Sequence, residues 1–201
     1  MDKVTSAILN LLKTDTLSKA ISNAAEDGNL TAAEVLLANA TMALAAERGH
    51  LEIVELMIEK GADNYDTSAA YAASRGHLNV MELLISKGNV DYEWAMAEAA
   101  KGGHLEIVDL MIEKGAKNYN KTMAEAAGGG HLGIVELMLT KDATEYNEAM
   151  IRAAEEGHLE IVKLMLEKGA TEYTMDMAYA AQGGHLKIVE LMLDTGASQY
   201  N

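Results

Sequence analysis

Six histidines stand at His50, His77, His104, His131, His158 and His185, each directly after a glycine and each 27 residues from the next. Imidazole is a common metal ligand and general base, so such a row invites both kinds of chemistry. The spacing argues against a shared metal. Helices of neighbouring copies pack about 8–10 Å apart, whereas zinc–nitrogen bonds are about 2 Å, so adjacent histidines cannot hold one ion. With no cysteine in the chain and serine only in scattered places, no nucleophile–base arrangement is available to them. A turn or capping role at the start of a helix is expected instead. The run Gly128-Gly129-Gly130-His131-Leu132-Gly133 formally contains the dinucleotide pattern G-x-G-x-x-G. No strand precedes it, and the next copy carries Glu155 and Glu160 where this one has Gly128 and Gly133, so it reads as an ordinary turn. No catalytic residue, metal ligand or cofactor is expected.

The histidines belong to a longer unit, Ala-Ala-x-x-Gly-His-Leu, and self-similarity at such a period marks a solenoid in which each unit buries its apolar face against its neighbours. The reading is all-α. Hydrophobic residues make up 49% of the 201, but there is no Phe, no Pro and one Trp, so Ala, Leu, Ile, Val and Met must fill the core, a palette that suits helices. Counting from each Gly-His glycine, positions −9 to −2 predict one helix and +2 to +11 a second. In the copy around Gly157, Asn147 is expected to cap the first, as are Asp66, Asn120 and Thr174 in sister copies. Met150, Ala153 and Ala154 form the buried stripe, the alanines allowing close helix approach. The second helix, Leu159 to Lys168, is apolar except for a strip of Glu160, Lys163 and Glu167, so burial around most of its circumference is expected, with Gly169 as a left-handed stop. Tyr65, Tyr92, Tyr119, Tyr146, Tyr173 and Tyr200 recur unchanged and predict packing elements at the turn between copies. One domain over 1–201 follows, with a capping helix at 2–13 and repeats at 16–40, 41–65, 66–92, 93–119, 120–146, 147–173 and 174–200.

The run Ala99 to Ala116, Ala-Ala-Lys-Gly-Gly-His-Leu-Glu-Ile-Val-Asp-Leu-Met-Ile-Glu-Lys-Gly-Ala, resembles the core of the ankyrin repeat, and the match extends over residues 16 to 200. It departs in length. The usual ankyrin period is about 33 residues, and the residues missing here are those that would build the β-hairpin finger. The resemblance is to the shortened, finger-less ankyrin-like repeats of large DNA viruses and some protists. It implies an α-solenoid of helix-turn-helix repeats that binds protein along the groove lined by the first helices.

Function must then lie where the copies differ. Positions −9, −5, −2 and −1 read Leu44, Glu47 and Arg48; Thr67, Tyr71, Ser74 and Arg75; Trp94, Glu98 and Lys101; Lys121 and Glu125; Glu148, Arg152, Glu155 and Glu156; Met175, Tyr179 and Gln182. Flanking positions stay nearly constant, so packing does not dictate these residues, and Trp, Tyr and Arg are enriched at interface hot spots. The expected function is a non-catalytic interaction module. The alternative is a structural solenoid that associates through its ends; an engineered consensus array fits less well because the first, third and fifth repeats are irregular.

Thirty-one acidic against sixteen basic residues give a net charge of −15, which opposes binding to phosphate backbones, and no apolar run is long enough to span a bilayer. Nucleic acid and membrane are therefore not expected partners. The absence of cysteine and of a secretory pattern at Met1-Asp2-Lys3-Val4 implies a cytoplasmic protein, in the viral case one of the host cell. The repeat at 174–200 keeps the internal pattern at Leu186, Ile188, Val189, Leu191, Met192 and Leu193, which predicts exposed apolar surface and a weak homodimer through it.

Overall fold

The computed structural model describes residues 30–199, which are all-α and form no strand. The expected capping helix at 2–13 and most of the repeat at 16–40 lie outside the described residues. Two compact units divide at Asp91 and Tyr92. The first unit holds α1 (Leu30–Glu47), α2 (Leu51–Glu59), α3 (Tyr65–Ser74) and α4 (Leu78–Lys87). The second holds α5 (Tyr92–Gly102), α6 (Leu105–Glu113), α7 (Tyr119–Gly128), α8 (Leu132–Thr140), α9 (Tyr146–Glu156), α10 (Leu159–Lys168), α11 (Tyr173–Gly183) and α12 (Leu186–Gln199). The turns at 60–64, 114–118, 141–145 and 169–172 join each helix pair to the next without a hairpin.

Each pair closes through the same backbone device. Gly157 sits in the left-handed region at φ 86, and the His158 amide donates back to the Ala153 carbonyl at 2.8 Å, a Schellman-type end that reverses the chain into α10. At Asp142 the corresponding second-helix stop lacks glycine, yet the residue still adopts φ 64. That conformation costs a residue with a Cβ about 1 kcal/mol.

Stacking is uneven between the two layers. First helices pack closely on one another, α1 on α3 in the first unit and α5, α7, α9 and α11 in series in the second, while second helices meet their neighbours only loosely. Alanine explains the difference. Ala126, Ala127, Ala153 and Ala154 are fully buried and leave room for the next helix, with Met123 and Met150 filling the space beside them. The bulkier second helices splay apart, so burial around most of their circumference is not observed. On α10 only Ile161, Val162 and Met165 are buried, and Leu159, Leu164 and Leu166 stay half-exposed.

Two further expectations are corrected. The boundary drawn between residues 40 and 41 falls inside α1, which runs through Asn39-Ala40-Thr41 because no helix-stopping glycine stands there. The first helices also start earlier, at the tyrosines, with Asn64, Asn118, Glu145 and Glu172 in the cap position. Asn147 is thus inside its helix, and its side chain serves the next repeat instead. Its Oδ1 accepts from the Thr171 amide at 2.8 Å. Asn120 Oδ1 accepts from the Thr144 and Glu145 amides at 2.7 and 3.3 Å, and Glu93 takes the Lys117 and Asn118 amides at 2.9 and 2.8 Å. In the first unit Asn39 Oδ1 holds the Asp63 amide and Asp66 the Asp91 amide. A turn has no helical carbonyl to offer these N–H groups, so the preceding repeat supplies the acceptor.

The half-buried Tyr65, Tyr92, Tyr119 and Tyr146 open their helices, and in the first unit the ring of Tyr65 occupies the space where a side chain on residue 88 would stand.

Candidate partner-binding surface

Buried positions on a first helix follow the Met-x-x-Ala-Ala stripe, which leaves −9, −5, −2 and −1 to face away from the stack. In the first unit Leu44 and Thr67 are half-buried, and Arg48, Tyr71 and Arg75 are exposed. In the second, Trp94, Lys101, Lys121 and Met175 are exposed, while Glu98, Glu125, Arg152 and Tyr179 are half-buried. None belongs to the core. Tyr71, Trp94 and Met175 are 44%, 36% and 53% exposed, unusual values for side chains of that size.

Several of the charges are already committed to one another. Arg75 reaches Glu47 at 2.9 Å, from α3 to α1. Arg152 donates from Nε to Glu148 at 2.8 Å and lies 3.4 Å from Glu125 of α7. The Glu148 hydrogen bond, with the charges of Glu125, Glu148 and Glu155, holds the guanidinium above its ordinary value against the opposing effect of burial. The indole N–H of Trp94 donates to Glu98 at 3.1 Å, which fixes the ring along α5. Exposed pairs of this kind contribute little to stability, but they orient large side chains before any partner arrives.

The histidine rings are spent on the backbone. His131 Nε2 bonds the Lys101 carbonyl at 3.1 Å, His158 the Gly128 carbonyl at 3.0 Å and His185 the Glu155 carbonyl at 3.0 Å. His77 does the same to Glu47 in the first unit, at 3.0 Å. The expected capping role is not what their side chains do: His77, His131 and His158 occupy cap positions without a side-chain cap bond. Each of these four rings ties one repeat to the one before it.

Two features were not legible in the sequence. A cavity of about 370 Å³ opens on the turn side of the second unit, lined by Thr144, Glu145, Tyr146, Asn147, Glu148, Ile151, Gly169 and Glu172. Its carboxylates are engaged in side-chain hydrogen bonds, Glu145 with Asn120, Glu172 with Asn147 and Glu148 with Arg152. The lining comes from two turns and the first turns of α9, and only folding brings them together. The second feature is Leu56 and Leu105, exposed on second helices that the apolar pattern marked as buried. Among the described residues no group of three or more His, Asp and Glu side chains could hold a metal ion.

A family model described as "Ankyrin repeats (3 copies)" matches the chain at residues 21–93, 42–123, 72–148, 96–176 and 123–201, in overlapping registers. No curated protein matches it. Among solved structures, the human ASB11 ankyrin repeat domain is similar with a TM-score of 0.60 and 20% identity, over 77% of this chain and 83% of that one. At that identity the likeness is one of fold.

Proposed function

The chain belongs to the ankyrin repeat family, and we propose that it is a non-catalytic module that takes a protein partner on the outward faces of its first helices. Ankyrin repeats are in general protein–protein interaction modules. The observation that carries the reading here is the exposure of Tyr71, Trp94 and Met175 on helices whose other positions barely change from copy to copy. The strandless turns and 27-residue step support the shortened, finger-less class, in which these faces carry contacts that fingers would otherwise share. The acidic balance supports a protein rather than a nucleic acid, and a cysteine-free chain without a membrane-length helix among the described residues suits the cytoplasm. A pull-down with the intact chain identifies the partner. Trp94→Ala and Tyr71→Ala are then each expected to weaken binding by about 2 kcal/mol while leaving the melting temperature nearly unchanged. Unimpaired binding by both variants defeats the assignment, and a large loss of stability shows that these side chains support the fold instead.

A second reading, self-association through the repeat at 174–200, is favoured by Leu186 and Leu193, which are 66% and 53% exposed. Ile188 and Met192, expected to share that surface, are buried. Sedimentation over a concentration series tests it. The wild type is expected to dimerise weakly and the Leu186→Lys, Leu193→Glu variant to remain monomeric; a wild type that is monomeric throughout removes this reading.

A further inference from the structure

One column of the repeat faces inward on every first helix and holds Thr41, Ser68, Ala95, Thr122, Ala149 and Asp176, all buried. Small residues suit a position pressed between close helices, and the hydroxyls there carry their own proton to an acceptor. Thr41 Oγ1 donates to the Leu37 carbonyl and Thr122 Oγ1 to the Asn118 carbonyl, both at 2.8 Å and both four residues back. Asp176 on α11 is the exception. Its side chain is fully buried, and neither carboxylate oxygen has a hydrogen-bond partner.

An ionised carboxylate has no proton to give, and buried without a donor it is strongly disfavoured. A protonated one can do what Thr122 does, donating to the carbonyl of Glu172 one turn earlier. We propose that Asp176 makes the α11–α12 pair a pH-responsive latch, packed on α9 while the carboxyl keeps its proton and opening locally when the proton is lost. Burial, assisted by the negative charge of Glu172, pushes the Asp176 carboxyl up to about 7, which sets the latch near neutrality.

Among the described residues, no neighbouring charge relieves it. α11 packs on α9 and α12. On α9, Arg152 is held by Glu148 and Glu125, while Glu155 and Glu156 are exposed. On α12, Lys187, Glu190 and Asp194 are exposed, and the His185 ring at its start is bonded to the Glu155 carbonyl. Met175 and Tyr179 flank Asp176 on α11, so opening withdraws both from any contact surface, although the latch does not depend on that surface being used.

The sign follows from linkage. In the unfolded chain an aspartate titrates near about 3.9, so between about pH 4 and 7 the folded state holds a proton that the open state has lost. Stability of the pair therefore falls as pH rises through that window and is level above it. Hydrogen exchange of the whole chain, expressed as protection relative to the intrinsic rate at each pH, reads this directly. Protection in α11 is expected to fall by up to about tenfold per pH unit between pH 5 and 7 and then level off, while α7 stays constant. Asp176→Thr installs a residue that the chain already uses in this column, and Asp176→Asn keeps the shape without the charge. Both are expected to protect α11 evenly at every pH, above the wild type at pH 8. Wild-type protection independent of pH overturns the proposal, and so does a pH dependence that survives in both variants, which would assign it to His185 or the surface charges.

Discussion

Gly130→Ala is expected to destabilise the chain by about 3 kcal/mol, of which about half is left-handed backbone strain and the rest a steric collision. Gly130 has φ +77, and a Cβ there would stand 2.6 Å from the His158 ring, which must move. Moving it costs the bond from His158 Nε2 to the Gly128 carbonyl, which accounts for about 1 kcal/mol of the collision's share. Gly169 supplies the control. Its φ is +105, but nothing lies within 4 Å of its virtual Cβ, so Gly169→Ala is expected to cost only the strain, about 1–1.5 kcal/mol. Chemical denaturation of the two variants measures the difference. Equal losses would show that the histidine ring yields freely and that the glycine is required for its backbone alone.

That contrast explains why a Gly-His pair recurs where other helix ends need only glycine. The glycine must turn the chain and also lie flat beneath the next repeat's imidazole, so the pair joins one repeat to another. The recurrence was plain in the sequence, and so was the helix at Leu159–Lys168, bracketed by Gly157-His158 before it and Gly169 after it. What the ring bonds to was not. Its acceptor stands 30 residues earlier, a separation that local capping preferences cannot reveal.

Asn147 was misread for a related reason. A short amide before an apolar helix is a good cap by local preference, and the same oxygen is equally suited to amides of a turn 24 residues later. Local rules cannot rank those two uses. Asp176, by contrast, could have been found from sequence. In the column Thr41, Ser68, Ala95, Thr122, Ala149 and Asp176, five residues are small and uncharged, and one is an acid. Side chains that vary on the outward faces were separable from those that pack, because a Met-x-x-Ala-Ala stripe, with Ala69 in place of Met on α3, fixes the inward direction of the first helices. Whether those outward side chains form an interface depends on a partner, which no intrachain pattern encodes.

The stacking itself can be measured with two methionines in the same register. Met150 on α9 is fully buried, with α7 and α11 packed on either side, whereas Met177 on α11 is half-buried. Met150→Ala empties a site that flanking helices cannot fully close, since their own positions are fixed by further repeats, so a loss of about 3 kcal/mol is expected. Met177→Ala removes a side chain that already keeps part of its surface in water and leaves no enclosed void, so about 1 kcal/mol is expected. Denaturant midpoints at a single pH, chosen below 6 so that Asp176 remains protonated, make the comparison clean. A solenoid derives its stability from interfaces between neighbours rather than from any one repeat, and the ratio of these two losses measures that dependence. Equal losses would mean that the second interface adds nothing at this register and that each repeat's own helix pair carries the methionine.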